Sequence, residues 1–150
     1  MTGASSAASV AADRDAGPAL ADRLLAPPHA RPLDAGRHPL PPRLRPGAEM
    51  GVLDVTKWFG PSTGGVRTYL LEKAAHVARD PRLRQVLVVP GARDLVAEAD
   101  GVRCYQLRSP PVPGQAPYRL LLRGGALRRV AEHERPQLIE AGSPLLVPWM

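Results

Sequence analysis

Four short apolar runs along the chain have the pattern of β-strands. Residues 50–56 (MGVLDVT) predict a short, buried first strand. Residues 84–91 (RQVLVVPG) predict a second strand, whose unbroken apolar centre is typical of a strand covered on both faces. Residues 102–107 and residues 137–142 (QLIEAG) predict a third and a fourth strand.

Two longer segments between these strands have helical spacing. Apolar side chains recur along one face of the first predicted helix, interrupted only by the stem of Lys73, at Val66, Tyr69, Leu70, Ala74 and Val77. Residues 118–134 predict a later helix, which Gly124 and Gly125 weaken. In the connector before the third strand, a short helix over residues 94–99 is also expected.

The order of these elements predicts an α/β domain. The order is strand, helix, strand, strand, helix, strand, with unbroken apolar runs, and this is typical of a parallel, Rossmann-like sheet. Ligands of such sheets bind outside the carboxyl ends of the strands. A functional site is therefore expected where the predicted strands end.

The first 48 residues differ in composition from the rest. Eight of the 18 prolines lie in the first 49 residues, which contain no Phe, Trp or Tyr. Prolines at this density exclude a long helix or an interior strand, and a short helix over residues 18–25 would have little to pack on. We therefore predict a disordered tail over residues 1–48 and one partial domain over residues 50–150. We also hypothesise that translation begins at Met50.

Charge and cysteine content narrow the class of protein. A formal net charge of +6 favours anionic partners such as nucleic acid, acidic lipid or phosphate ligands, without choosing among them. A single cysteine, Cys104, excludes a disulfide within the chain and is expected to be a small core residue. No secretory signal and no apolar run of membrane-spanning length is visible, so we expect a cytoplasmic protein.

Basic residues and histidines add weaker signals. The later predicted helix is basic, so a peripheral position on an anionic membrane surface stays open, through Arg119, Arg123, Arg128 and Arg129. Basic and aromatic residues do not interleave, and no nucleic-acid-binding module is recognisable, so we predict no nucleic-acid partner. Neither His76 nor His133 has a partner at ligand spacing, so we predict no metal site.

The loop between the first strand and the first helix, DVTKWFGPSTGGVRTYLLEK, carries the strongest local signal. Gly64 and Gly65 stand where the helix begins, and the first backbone N–H groups of a helix have no partner inside it. The helix dipole adds partial positive charge there, and glycines let a phosphate approach the backbone closely. We therefore predict a phosphate site at Gly64, Gly65 and Val66, with Arg67 adding charge one turn into the helix.

Two common phosphate-binding motifs do not fit this loop. The glycines at positions 60, 64 and 65 do not form the G-x-G-x-x-G pattern of a dinucleotide site. The P-loop spacing is met between Gly60 and Gly65, but Val66 occupies the position of the essential lysine. A P-loop-like nucleotide binder with an altered lysine position stays as an alternative function.

The segment DVTKWFGPSTGGVRTYLLEKA resembles the start of family 4 glycosyltransferases. These enzymes typically open with a strand, a proline-containing loop that ends in Gly-Gly-Val, and a helix. Three later segments, RQVLVVPGARD, YQLRSPPVPG and RPQLIEAGSPLLVPW, resemble one bacterial branch of the family in the same order. The resemblance covers about residues 50–150.

This resemblance implies a GT-B fold, in which two Rossmann-like domains face each other across a cleft. The first domain mainly holds a hydroxyl acceptor, and the second mainly holds a nucleotide-diphosphate sugar. The hexose is transferred with retention of configuration, usually without a tightly bound metal or other cofactor, and the setting is cell-envelope or exopolysaccharide synthesis. The chain matches only part of the first domain, so we expect it to be inactive without a C-terminal donor domain.

The resemblance also assigns roles to individual residues. Gly64, Gly65 and Val66 match the loop that approaches the donor phosphates. Many relatives carry a histidine at the end of the fourth strand, where this chain has Glu140 and Ser143 instead. We take Glu140 as the candidate catalytic residue, and Lys57 and Ser143 as candidate acceptor contacts. A truncated domain that serves as a non-catalytic interaction module is the remaining alternative.

Overall fold

A computed structural model describes residues 20–25, 30–33, 39–57, 59 and 64–142 of the chain. Residues 20–25 are helical and are called α1. The elements that follow are β1 (Arg31–Pro32), β2 (Met50–Val55), α2 (Gly65–Arg79), β3 (Leu83–Gly91), β4 (Leu95–Ala99), β5 (Val102–Arg108), α3 (Gly124–Glu134) and β6 (Leu138–Ala141). The four strands and the first helix predicted from residue 50 onward are therefore confirmed, and the later helix is confirmed in its second part.

The strands form one mixed sheet in the order β1-β4-β5-β3-β2-β6. β5, β3, β2 and β6 are parallel, with Leu53 of β2 paired to Val86 of β3 and to Ile139 of β6. β4 is antiparallel to β5, and the two-residue β1 is antiparallel to β4. The chain is thus an α/β protein with a mostly parallel sheet, consistent with a Rossmann-like fold.

A helix over residues 94–99 is wrong, because this segment forms strand β4. Asp100 and Gly101 alone connect β4 to β5, and both have a positive φ, of 51° and 81°. Such Asp-Gly pairs favour the two-residue turns whose twist matches that of a β-hairpin. The dipeptide is visible in the sequence, and it overrides the weak helical spacing of the connector.

The later helix begins at Gly124, and the predicted start at residue 118 is wrong. The segment before it pairs back onto the proline-rich loop, where Val112 N–H donates to the carbonyl of Tyr118 at 2.9 Å and Leu120 N–H donates to that of Pro110 at 2.9 Å. These cross-loop bonds hold the backbone extended. The helix can therefore start only after they end.

Two apolar clusters cover the two faces of the sheet. Successive residues of β3 alternate between them, with Val86 and Val88 in one cluster and Leu87 and Val89 in the other, as the pleat of a strand requires. The α3 helix packs on the first face, whereas α1 and α2 pack on the second. Buried residues of α2 are Leu70, Ala74 and Val77, so this part of its predicted apolar stripe is confirmed.

The described parts of residues 1–48 belong to the folded domain. Leu20 and Leu24 of α1 are buried in the α2 cluster, and Leu44 is buried in the α3 cluster. For these residues the prediction of a disordered tail is wrong, because three leucines suffice to anchor a segment without aromatic residues. Residues 1–19, 26–29 and 34–38 lie outside the described part of the chain, so the prediction stays open for them.

The helices in the described part of the chain are all too short or too polar to cross a membrane.

Candidate functional site

A cleft lies beside the carboxyl ends of β2 and β6. Chain order runs from β2 through β3 to β5 on one side, whereas β6 lies on the other side of β2. This reversal is the topological switch point at which α/β sheets bind ligands. The cleft has a volume of about 320 Å³, and we call it the switch-point cleft, lined by Asp54, Val55, Thr56, Gly65, Val66, Tyr69, Leu70, Glu140 and Gly142.

The amino end of α2 forms one wall of this cleft. Gly64 is the N-cap residue, and the first turn of the helix contains no acidic residue. A Cβ placed at Gly64 or Gly65 would meet no described atom within 4 Å, so the described packing does not require glycine at either position. The N–H groups of Gly65 and Val66 lack acceptors within the helix, which makes this end suitable for an anion.

Glu140 lies in a polar network on the opposite wall. It is paired with Asp54 across β6 and β2, and Lys73 Nζ of α2 donates to both carboxylates, at 2.7 Å to Asp54 and 3.0 Å to Glu140. The Tyr69 hydroxyl donates to Glu140 at 3.0 Å, and Gln85 Nε2 donates to Asp54 at 2.7 Å. Lys73 thus joins the buried carboxylate of Asp54 to the carboxylate of Glu140, whose side chain is 43% exposed.

The two carboxylates differ in their electrostatic surroundings. The hydrogen bond from Lys73 lowers the pKa of Glu140 most strongly, burial opposes it, and the hydrogen bond from Tyr69 lowers the pKa further. Burial raises the pKa of Asp54 in spite of its bonds to Lys73 and Gln85. Burial by itself lowers the pKa of Lys73, but its bonds to the two carboxylates outweigh this and raise it. Lys73 is therefore a cation, and the accessible Glu140 is a carboxylate that stays charged and is suited to face a positive charge.

Replacing Lys73 by methionine is expected to raise the pKa of Glu140, since the substitution removes the main group that stabilises its charged form. Carboxyl ¹³C shifts of Glu140 recorded against pH measure this change. Arg128→Gln removes one positive charge from an exposed position on α3 and serves as the control. An unchanged pKa of Glu140 in the Lys73→Met protein would contradict the network.

The structure brings some of the predicted site residues together and separates others. Gly65, Val66 and Glu140 line the switch-point cleft, and Gly64 caps the adjoining helix. The Arg67 side chain lies elsewhere, with its guanidinium 5.6 Å from the centre of the Phe59 ring, where it lines a second pocket. Lys57 follows β2 and is half-buried outside the lining of the cleft. Ser143 lies outside the described residues.

Sequence reasoning missed Asp54, Lys73 and Tyr69. Asp54 is a lone charge in an apolar strand, and Lys73 is a lone charge in an apolar helix face, so both departures from the pattern were visible. Val66 and Tyr69, predicted on that same face, are 42% and 49% exposed and line the cleft. Apolar spacing at the start of α2 therefore marks a cleft wall rather than core.

No group of three acidic, histidine or cysteine side chains is arranged for a metal in the described ranges. Cys104 lies in the core, and burial raises the pKa of its thiol to about 12. The cysteine is therefore a packing residue, as predicted.

Comparisons of the chain with protein-family models, with curated proteins and with solved structures found no significant match.

Proposed function

We propose that this chain is the acceptor-side domain of a retaining glycosyltransferase that uses a nucleotide-diphosphate sugar. One observation carries the proposal: the open amino end of α2 and the charged Glu140 line the same cleft at the switch point of the sheet. One wall suits the anionic leaving group of such a donor. The other wall suits a hydroxyl acceptor or a sugar that develops positive charge.

The glycines act on the leaving diphosphate in this proposal. Charge builds up on the diphosphate oxygens as the bond to the sugar breaks, and backbone N–H groups aimed at these oxygens stabilise it. Gly65 and Val66 present such groups, and the absence of a Cβ at Gly64 and Gly65 leaves the approach open. The amides are fixed by the helix before the reaction, so no reorganisation is needed.

Glu140 faces the reacting sugar or the acceptor hydroxyl. Its carboxylate is held from two sides, by Lys73 and by Tyr69, so its position relative to α2 is fixed. A charged carboxylate held in this way accepts a hydrogen bond from the acceptor hydroxyl or stabilises an oxocarbenium-like centre. Lys73 and Tyr69 are positioning residues, and Lys57 stays a candidate contact for the acceptor.

The proposed enzyme works in cell-envelope or exopolysaccharide synthesis and takes its donor from a second domain. Without that domain the 150-residue chain transfers no sugar in this proposal. The cellular setting and the need for a second domain follow from the resemblance of residues 50–150 to family 4 glycosyltransferases. Measurable sugar transfer by the purified chain would overturn the need for a second domain.

The amides of Gly65 and Val66 are expected to shift when inorganic pyrophosphate is added without magnesium in an NMR titration. Gly65→Ala is expected to weaken this binding about tenfold, because glycine lets a phosphate approach the backbone amides more closely than alanine does. The variant should fold normally, since the added Cβ meets no described atom. Gly125→Ala, at an equally open position in α3, is the matched control and should bind pyrophosphate like the parent.

Two results would count against the proposed function. Pyrophosphate shifts that avoid Gly65 and Val66 would remove the phosphate role of the loop. Binding of a nucleoside triphosphate that requires magnesium and centres on the loop would instead favour the P-loop-like alternative.

A further inference from the structure

We propose that a second pocket of this domain binds a phosphate group carried by the acceptor, an inference that rests on the proposed function. The pocket has a volume of about 570 Å³ and lies at the carboxyl ends of β3 and β5. We call it the arginine pocket, and its main lining residues are Leu25, Phe59, Arg67, Gln106, Tyr118 and Arg119.

The arginine pocket and the switch-point cleft lie along the same helix end. Gly65 and Val66 line the switch-point cleft, whereas the next residue, Arg67, lines the arginine pocket. A ligand seated in the pocket is therefore next to the proposed donor site without occupying it. This is the placement that an acceptor needs if one end is anchored and its hydroxyl reaches the sugar.

Two guanidinium groups give the pocket its positive charge. Arg67 lies against Phe59, and the loop fixes Arg119, whose Nη1 donates to the carbonyl of Ser109 at 2.8 Å. A guanidinium carries five N–H donors in a planar fork that matches phosphate oxygens. Asp22 is the one acidic residue in the described lining, so positive charge exceeds negative charge there.

The positive surface continues beyond the pocket. A neighbouring hollow of about 720 Å³ shares Arg119 with it and adds Arg108 and Arg123. Asp94, the acidic residue of this hollow, is engaged by Arg123 and by the backbone N–H of Arg108. Four arginines thus stand against two aspartates over the two connected depressions, which favours an anionic ligand.

The apolar part of the lining limits what kind of anion fits. Leu25, Val89 and Pro117 add apolar surface to the same lining. A compact phosphate with a short organic body matches both the charged and the apolar part of this lining. An extended nucleic-acid strand would need a longer basic stripe with stacking aromatics, which the described surface does not offer.

The test is an NMR titration of the 150-residue protein with glycerol 3-phosphate, and with glycerol as its neutral counterpart. Glycerol 3-phosphate is expected to shift the amides of Gln106 and Arg119, and glycerol is not. Arg119→Gln is expected to weaken binding about tenfold, since it removes a charge-assisted contact. Because Arg119 also holds the loop through Ser109, Arg67→Gln is a second variant with the same expected loss.

Arg128→Gln is the matched control, since it removes an equal charge from an exposed position outside both depressions. Sedimentation with phosphatidylglycerol vesicles and with phosphatidylcholine vesicles separates the two sources of the phosphate group. Binding to the anionic vesicles that both pocket variants lose assigns a lipid source, and binding to glycerol 3-phosphate alone assigns a soluble one. If neither ligand binds, or if both pocket variants bind like Arg128→Gln, the inference is wrong.

The phosphate site in the arginine pocket and the proposed function can be disproved independently of each other. Gly65→Ala should weaken pyrophosphate and leave glycerol 3-phosphate unaffected, whereas Arg119→Gln should do the reverse. Loss of the pyrophosphate response alone removes the donor-phosphate role and leaves the arginine pocket as a phosphate site. Absence of the glycerol 3-phosphate response alone rules out phosphate binding in the arginine pocket and leaves the proposed function standing.

Discussion

Replacement of Glu134 by alanine is expected to lower the free energy of unfolding by about 3–5 kcal/mol, the cost of breaking a buried ion pair from one side. Glu134 is fully buried at the end of α3. Its carboxylate accepts hydrogen bonds from Arg103 Nη1 at 2.6 Å, from the Tyr105 hydroxyl at 2.7 Å and from the Leu44 N–H at 3.3 Å. A loss of this size is a large share of the stability of a small domain.

The cost comes mainly from the cations that the substitution leaves behind. The side chains of Arg84 and Arg103 are 1% and 3% exposed, and Glu134 is the carboxylate that faces both. In the Glu134→Ala protein, Arg103 would still donate to Glu98 at 2.6 Å. Arg84 would retain, among its described hydrogen bonds, only the one to the carbonyl of Arg135. A buried guanidinium without a counter-charge is strongly unfavourable.

Glu132→Ala is the matched control for this prediction. Glu132 lies on the same helix two residues earlier, and its pair with Arg128 is exposed on both sides. Removing such a surface pair should change the free energy of unfolding by less than about 1 kcal/mol. Urea denaturation followed by circular dichroism measures both variants. A change below about 1 kcal/mol in Glu134→Ala would show that the network does not hold the fold.

A chain that begins at Met50 is expected to lose several kcal/mol of stability and to expose apolar surface. The truncation removes three buried leucines, Leu20, Leu24 and Leu44. Each buried leucine contributes about 2 kcal/mol, offset in part by the entropy of ordering the segment. It also uncovers parts of both apolar clusters and removes β1 from the edge of β4.

Thermal unfolding and binding of a hydrophobic dye compare the truncated chain with the full one. Leu24→Ala in the full chain isolates one anchor and should cost about 2–5 kcal/mol, because the side chain is fully buried. Leu122→Ala, at a position that is 56% exposed, is the control and should be nearly neutral. A chain from Met50 as stable as the full chain would show that the segment adds nothing to the fold.

Local patterns predicted most of the fold, and two of the three errors arise within single loops. The strands and α2 were predicted because their apolar residues repeat with the period of each element. The helix over residues 94–99 is wrong because the Asp100-Gly101 turn makes this segment the first strand of a hairpin. The early start of the later helix was wrong because pairing between Pro111 and Arg119 is a contact across the loop that spacing does not reveal.

The candidate site was predicted in part. The Gly64-Gly65 signal depends on neighbouring residues and a helix start, so the sequence alone supplied it. Glu140 was singled out from the resemblance. Its link to Lys73 and Asp54 joins residues 67 and 86 positions away from it in the chain, and only the folded sheet brings them together.

The sequence by itself determined the α/β class, the main strands, the helix α2 and the glycine pair at its start. These depend on periodicity and on residues adjacent in the chain, which act before any long-range contact forms. Tertiary structure alone decided that α1 and the Leu44 segment belong to the core, that one lysine holds two carboxylates, and that Arg67 leaves the glycine cleft for a second pocket. Such features depend on which distant surfaces meet, because burial and charge pairing are properties of the packed sheet and helices rather than of any single segment.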